Sequence, residues 1–212
     1  MSRRYEPLPI GFFDRSAELV ACDLLGAYLV SDGGGARCVG RIVETEAYPG
    51  PHDPASHASA VTGRTRRNDP MFGPPGTAYI HLNFGVHWCL NAVVGSEGYP
   101  AAVLIRAVEP IDGIDTMRAR RSGRLDGELT SGPGKLTKAM GIGPGFQRRS
   151  LAGGPPLFIA SGDAVPAADV VRTTRVGISK GTAQEWRFYD RRSKWISRRD
   201  RDADAFCDQA ST

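Results

Sequence analysis

Two carboxylates and a phenol recur at every second position in the stretch Arg41-Ile-Val-Glu-Thr-Glu-Ala-Tyr48. Read as a β-strand, it carries Ile42, Glu44, Glu46 and Tyr48 on one face. A core strand does not ordinarily bring two acids to the face that holds an Ile, because burying an unpaired carboxylate is costly and raises its pKa. A cleft accounts for the pattern better than a core. Glu46 could then serve as a general base, with Tyr48 walling a pocket for a flat substrate. The alternative is an edge strand whose polar face is wet.

Other reactive residue types narrow the chemistry. His52, His57, His81 and His87 match neither the spacing of a zincin helix nor that of a finger, and no acid or Cys stands at ligand spacing, so no metal is expected. No Ser occupies a nucleophile elbow. Thr130-Ser-Gly-Pro-Gly-Lys-Leu136 approaches a phosphate loop, but Leu136 stands where a nucleotide loop needs Ser or Thr. Lys135 at a helix start could still hold a backbone phosphate, or the segment could be a plain capped helix. Nothing in the sequence shows how Lys135 would be made acidic enough for Schiff-base chemistry. Water activated by a Glu is the simplest chemistry left.

The elements that must position these groups follow from period and punctuation. Asp14 is expected to cap a helix running through Leu25, with Gly26 as its stop. Ala27 to Val30 and Arg37 to Tyr48 are expected to form a hairpin across a Gly-rich connection. Residues 49–76 show no sustained period and form a long irregular segment, the kind of loop that often carries function. A second hairpin runs Thr77 to Leu82, turns at Asn83-Phe84-Gly85 and returns as Val86 to Val94. Its apex puts a large apolar ring where Gly, Asn or Ser is usual, and that ring either folds back on the sheet or has a use in the open. Ala101 to Val108 reads as a buried strand, followed by a helix with acids at Asp112 and Asp115 and bases at Arg118 to Arg121. A short helix ends at Met140 before Gly141. Strands are expected at Pro156 to Ile159, at Arg172 to Ile178 and near Trp195, with Trp186-Arg-Phe-Tyr189 anchoring the core.

The chain has 212 residues, enough for a sizeable core, and shows no repeat and no linker, so one domain over 1–212 is expected, with 1–12 and 200–212 as flexible ends. No secretory or membrane-spanning apolar run is visible, and Cys22, Cys38, Cys89 and Cys207 are scattered, so the chain reads as soluble, intracellular and reduced. The net charge of +4 is mild, but arginines cluster at Arg64, Arg66 and Arg67, at Arg118 to Arg121, at Arg148 and Arg149, and from Arg191 to Arg201. Such patches suit a polyanion or are solvated faces; the last, interleaved with Asp, reads as surface.

An ordered set of residues now carries a resemblance. Glu44-Thr-Glu-Ala-Tyr48, His57, Met71-Phe72, Pro75-Gly-Thr77, Asn91, Leu104-Ile-Arg106, Glu109-Pro110, Met117-Arg118, Ser131-Gly-Pro-Gly-Lys135 and Arg187-Phe-Tyr189 together resemble the alkyladenine (3-methyladenine) DNA glycosylase family. The likeness runs from about Asp23 to Trp195. It implies an α+β fold: a single domain on a curved antiparallel, open-barrel-like β-sheet with flanking helices and a protruding β-hairpin that enters the minor groove. It also implies a monofunctional enzyme without cofactor that acts as a monomer on double-stranded DNA containing damaged purines, in the cytoplasm and nucleoid, with no membrane partner.

Carried over by position, the resemblance makes Glu46 the base that activates water. Arg106 and the carbonyl of Ile178 help to place that water, Tyr48, His57 and His81 enclose the flipped purine, and Asn91 refuses a guanine amino group. Phe84 becomes the wedge in the duplex. Arg64, Arg66, Arg67 and Lys135 are candidate phosphate contacts. Against the vertebrate pattern, His81 replaces a Tyr, Phe84 replaces the wedge Tyr, and His87 and Trp88 replace two aromatics. A shift of substrate range towards neutral deaminated or etheno purines is therefore expected. The rivals are a non-catalytic nucleic-acid-binding protein on the same scaffold and a bifunctional glycosylase-lyase using Lys135.

Overall fold

Alternation of side chains along paired strands determines which residues reach each face, and in this protein the two faces have different tasks. The computed structural model describes residues 4–204. The strands are β1 (Tyr28–Ser31), β2 (Cys38–Tyr48), β3 (Ala78–Asn83), β4 (His87–Val94), β5 (Ala101–Asp112), β6 (Leu157–Ala160), β7 (Val170–Thr173) and β8 (Arg187–Asp190). They form one open antiparallel sheet in the order β3-β4-β5-β2-β1-β6, with β8 pairing both β2 and β7. The helices are α1 (Ile10–Phe13), α2 (Ala17–Asp23), α3 (Ile114–Arg120) and α4 (Pro133–Met140). Of these, α2 packs on β2, β5 and β8, while α4 packs on β4, β5 and α3.

A single main core joins the helices to one set of strand positions: Val20 and Leu24, Ile80, Leu90, Ile105, Met117 and Leu136. The opposite set, Tyr79 and His81 on β3, Cys89 and Asn91 on β4, Leu104 and Arg106 on β5, lines a cavity. The architecture is the α+β, single-domain, open antiparallel sheet that the resemblance implies. Residues 1–3 and 205–212, which include Cys207 and part of the expected flexible ends, lie outside the described residues.

The acid-bearing strand departs from simple alternation. Along β2 and β5 the register runs Ile42↔Val108, Glu44↔Ala107, Thr45↔Ile105, with shifts on both sides of Glu44. Val43 and Arg106 are the extra residues, one on each strand. A bulge of this kind puts two successive residues on the same side. Ile42 and Val43 accordingly both join the main core, together with Ala47. Ile42 therefore does not share the face of Glu44 and Glu46, contrary to the alternation expected from the sequence. The wet-edge alternative also fails, because β2 lies inside the sheet and both acids are fully buried.

Other expectations shift for local reasons. Asp14 closes α1, and Ser16 caps α2 through its hydroxyl to the Leu19 N–H. Strand β5 continues to Asp112, whose carboxylate accepts from the Gly113 N–H before α3 begins. Strand β7 ends at Thr173 instead of running to Ile178, because Arg175 turns inward and Gly177 takes a positive φ of 77°. No strand forms at Trp195; turns centred on the Asp190 carbonyl and carboxylate and on the Ser193 hydroxyl redirect the chain there. The second hairpin forms as expected, and Phe84 at its apex has φ 50° and is 84% exposed, so it does not fold back on the sheet. A left-handed non-glycine residue costs roughly 1–2 kcal/mol, and exposing the ring forgoes its burial.

Candidate active site

One register row crosses the sheet: Tyr79↔Asn91, Asn91↔Leu104, Leu104↔Glu46 and Glu46↔Arg187. Asn91 and Glu46 are thus two strands apart, roughly 10 Å at the usual strand spacing. Above this row lies a cavity of about 400 Å³. Its floor is the sheet, and its walls come from two irregular segments, one holding Pro54, Ala55, His57 and Met71, the other Val176 to Lys180.

Glu46 sits beneath the wall. Its Oε1 accepts from the Val176 N–H at 2.7 Å and faces Arg106 Nη1 at 3.2 Å, and its Oε2 accepts from the Tyr48 hydroxyl at 2.9 Å. Tyr48, Arg106 and Val176 all line the cavity. Burial pushes the Glu46 carboxyl above its ordinary value of 4.5 despite the opposing pull of Arg106 and of the Val176 and Tyr48 hydrogen bonds. Such a carboxylate is poised to take up a proton. Burial and the adjacent Glu46 push the Tyr48 phenol well above its usual range, so it stays a donor.

Glu44 has a different environment. It accepts from Arg106 Nε at 2.9 Å, Arg187 Nη1 at 3.1 Å, the Ser197 N–H at 2.6 Å and the Ser197 hydroxyl at 2.8 Å. Glu44 does not line the cavity, and its hold on the Arg106 Nε makes it a brace for that guanidinium. The bulge that sets Arg106 apart on β5 lets one guanidinium meet both acids.

A further buried pair joins the two irregular walls. Arg175 binds Asp53 through both Nη atoms, at 2.5 and 2.8 Å, and its guanidinium lies over the rings of Tyr48 at 4.7 Å and Trp186 at 4.9 Å. Glu44, Glu46 and Asp53 thereby face Arg106, Arg175 and Arg187, three buried carboxylates against three buried guanidiniums. Buried charges in balance hold a defined geometry, and removing one partner is what costs; in this set the Arg175 Nε alone is buried without a hydrogen-bond partner among the described residues.

At the other end, imidazoles and a phenol pack together. His57 and His81 meet edge to face at 4.4 Å, Tyr79 stacks on His81 at 5.1 Å, and the Tyr79 hydroxyl lies 2.9 Å from His57 Nδ1. The Asn91 Nδ2 donates to the Tyr79 carbonyl at 3.0 Å and approaches His81 Nδ1 at 3.2 Å. Burial lowers the pKa of His57, and burial, His57 and Arg67 lower that of His81 to about 3. Both imidazoles are neutral near pH 7, so this end of the cavity does not repel a cation. His52 lies apart, against Trp186, and His87 packs at the start of α4.

The structure brings Tyr48, His57, His81, Asn91, Arg106 and Ile178 around one cavity, with Glu46 just behind it. Val176, not Ile178, touches Glu46. Phe84 is on the adjoining hairpin tip, outside the cavity lining. A Cβ on Gly134 at the start of α4 would come within 2.8 Å of the His87 Cβ, so the missing side chain lets the hairpin tip and helix meet. Arg67 donates to the Leu82 carbonyl and tethers the irregular segment to the same hairpin. Arg64 pairs with Asp69 and lies over Phe72; Arg66 is exposed and makes no ion pair among the described residues. Lys135 is half-exposed near Ser131 and Glu128. Within the Arg118 to Arg121 cluster, Arg118 pairs with Asp115 and Asp126, and Arg120 donates to the Ala139 and Gly33 carbonyls, which ties both into the fold.

Sequence reasoning missed Tyr79, Cys89, Val176, Lys180 and the Asp53–Arg175 pair, and it named Met71 as part of the family resemblance without a place at the site. Tyr79 and Cys89 were within reach, since each is two positions from a residue already singled out on its strand. The ion pair left no local signal.

A sequence profile of the methylpurine-DNA glycosylase family matches residues 11–194. The chain is 45% identical over 192 residues to a Carboxydothermus hydrogenoformans protein named "Putative 3-methyladenine DNA glycosylase", covering 91% of this chain and 99% of that one. Proteins of the same name from Salinibacter ruber (48% identity; 91% and 97% covered) and Methanoculleus marisnigri (46%; 91% and 99%) match as fully. No described helix is long and apolar enough to cross a membrane. With a cavity held by paired buried charges and these matches along nearly its whole length, the chain belongs to the methylpurine-DNA glycosylase family, enzymes that hydrolyse N-glycosidic bonds in DNA.

Proposed function

We propose that this enzyme flips a damaged purine nucleotide out of duplex DNA and hydrolyses its N-glycosidic bond with water activated by Glu46. The observation that carries the reading is the Glu46 carboxylate itself: fully buried, raised in pKa, and held behind the cavity wall by Tyr48, Arg106 and Val176. In the proposed step the water oxygen attacks the sugar C1′, its proton passes to Glu46, and the N9–C1′ electron pair leaves with the base. The carboxylate also stabilises the oxocarbenium-like centre as it develops.

The base would lie between Tyr48 and the imidazoles of His57 and His81, with Ile178 at the wall. Their neutral rings tolerate a cationic 3-methyladenine or 7-methylguanine, and the same flat slot accepts hypoxanthine and ethenoadenine. Asn91 holds its amide nitrogen against the Tyr79 carbonyl and His81, so it would crowd the amino group of an undamaged guanine, whereas 7-methylguanine would be excised against that crowding because its cationic ring leaves readily. Phe84, strained and exposed at the hairpin apex, would fill the gap in the duplex, an apolar wedge at a cost of a few kcal/mol in unstacking. Arg66, Arg67 and Lys135 would contact phosphates, with Arg64 as a further candidate, and the enzyme would act as a monomer on the DNA of the cytoplasm. The names of the relatives support the lesion class.

One observation favours a second reading. Lys180 lines the cavity mouth, whereas Lys135 does not line it, and an amine there is what a lyase would use. Single-turnover release of free base from duplexes carrying 3-methyladenine, 7-methylguanine, hypoxanthine or ethenoadenine, with and without borohydride, separates the readings. Water attack releases base and leaves no trapped protein–DNA adduct; an adduct lost in Lys180→Ala establishes the lyase. Tight duplex binding without release of any of these bases would support the non-catalytic alternative.

A further inference from the structure

The hydrogen bonding of Asn91 determines the proton on His81. The Tyr79 backbone carbonyl can only accept, so the Asn91 atom 3.0 Å from it must be the amide nitrogen, and the side chain cannot be flipped. The same nitrogen lies 3.2 Å from His81 Nδ1, within hydrogen-bond reach of its second hydrogen. Nδ1 must therefore present its lone pair, because an Nδ1–H would oppose an N–H. A neutral imidazole that accepts at Nδ1 carries its proton on Nε2. His81 lines the cavity, and its side-chain hydrogen bond among the described residues is made at Nδ1, which leaves Nε2 without a partner there.

We propose that Asn91 fixes His81 as the neutral Nε2–H tautomer, and that this N–H donates into the base cavity and favours purines that depart as anions. The inference rests on the reading of the cavity as a purine site. A cationic lesion such as 7-methylguanine leaves as a neutral base, whereas neutral hypoxanthine leaves with the N9–C1′ electron pair and accumulates negative charge on its ring nitrogens and oxygen. A fixed donor aimed at that ring stabilises the second departure more than the first. Tyr79 stacked on the imidazole and His57 against its edge keep the ring from rotating away. Asn91 is in this scheme a positioning residue that acts through His81.

Two measurements on the full chain test the proposal. Two-bond ¹H–¹⁵N correlation spectra of labelled protein report which ring nitrogen of His81 is protonated: Nε2 alone is expected in the wild type, and a mixture of tautomers in Asn91→Leu. A wild-type proton on Nδ1 overturns the proposal. Single-turnover excision of hypoxanthine and 7-methylguanine is then compared in the wild type, His81→Phe and His81→Gln, since Gln keeps a donor near the Nε2 position. The hypoxanthine-to-7-methylguanine ratio should fall about ten- to a hundredfold in His81→Phe, the value of one lost hydrogen bond to a charged group, and recover in His81→Gln. An unchanged ratio in His81→Phe, or no recovery with Gln, overturns the donor role while the glycosylase reading stands. Absence of excision of both lesions by the wild type would overturn the purine reading and this inference with it.

Discussion

Glu44 and Glu46 stand two residues apart, are both fully buried and share Arg106, yet replacing each by Gln should have opposite consequences. In Glu46→Gln the amide oxygen can keep the Val176 N–H and Arg106 contacts, and the amide nitrogen can donate to the Tyr48 oxygen, which changes from donor to acceptor. No hydrogen bond need be lost, and Arg106 keeps Glu44. The raised pKa of Glu46 means that the fold disfavours its charge, so stability should change by less than about 1 kcal/mol. Excision should nonetheless fall roughly 10²–10⁴-fold, the contribution of a general base.

In Glu44→Gln, Arg187 loses its only carboxylate among the described residues and Arg106 one of two. Stripping one partner from a buried charge pair costs about 3–5 kcal/mol, which for a chain of this size lowers Tm on the order of 10 °C. The assay pairs thermal unfolding with single-turnover base release at a temperature where both variants are folded. Equal loss of stability in the two variants, or excision by Glu46→Gln within tenfold of the wild type, would refute the division between brace and base.

Further outcomes follow from other parts of the molecule. Phe84→Gly should leave the protein as stable or more stable, by roughly 1 kcal/mol from relief of the left-handed backbone, while excision from duplex DNA falls; unchanged duplex excision would remove the wedge role. The excision rate should decline on acidification with a midpoint above the ordinary Glu value of 4.5, because Glu46 must be ionised to act; a midpoint at or below 4.5 speaks against it. The folded state binds a proton on Glu46 more readily than the unfolded chain does, so this residue's penalty on stability is relieved as pH falls through the raised pKa. His81 works in the other direction: its stability contribution is complete above 6.5 and is lost as pH falls from there towards about 3. His81→Gln should therefore flatten the acid side of the Tm-versus-pH curve, as calorimetry would read. Asp53→Asn should cost about 3–5 kcal/mol in urea unfolding, since Arg175 would remain buried without its carboxylate.

Much of the scaffold was legible because its signals are local. Turn residues and alternation located the two hairpins, and the unusual ring at Phe84 stood out before any fold was known. Glu46, Tyr48, His57, His81, Asn91, Arg106 and Ile178 were all named from the sequence and its family resemblance, and they gather at one cavity. Local rules failed where two distant segments meet. The paired extra residues Val43 and Arg106 switch the face of Ile42 and allow one guanidinium to bridge both acids, and alternation has no term for a bulge.

Arg118 and Arg120 read as a charged patch or as solvated surface; only packing made Arg120 a clamp between the Gly33 and Ala139 carbonyls. Asp53 and Arg175, 122 residues apart, gave no hint of each other. What the sequence by itself determined is the order of elements, the hairpin with an aromatic ring at its apex and the residue types of the site. What only the tertiary structure decided is which charges are buried against which, because pairing is imposed by the desolvation of groups brought together across the fold, and neither spacing nor periodicity encodes that.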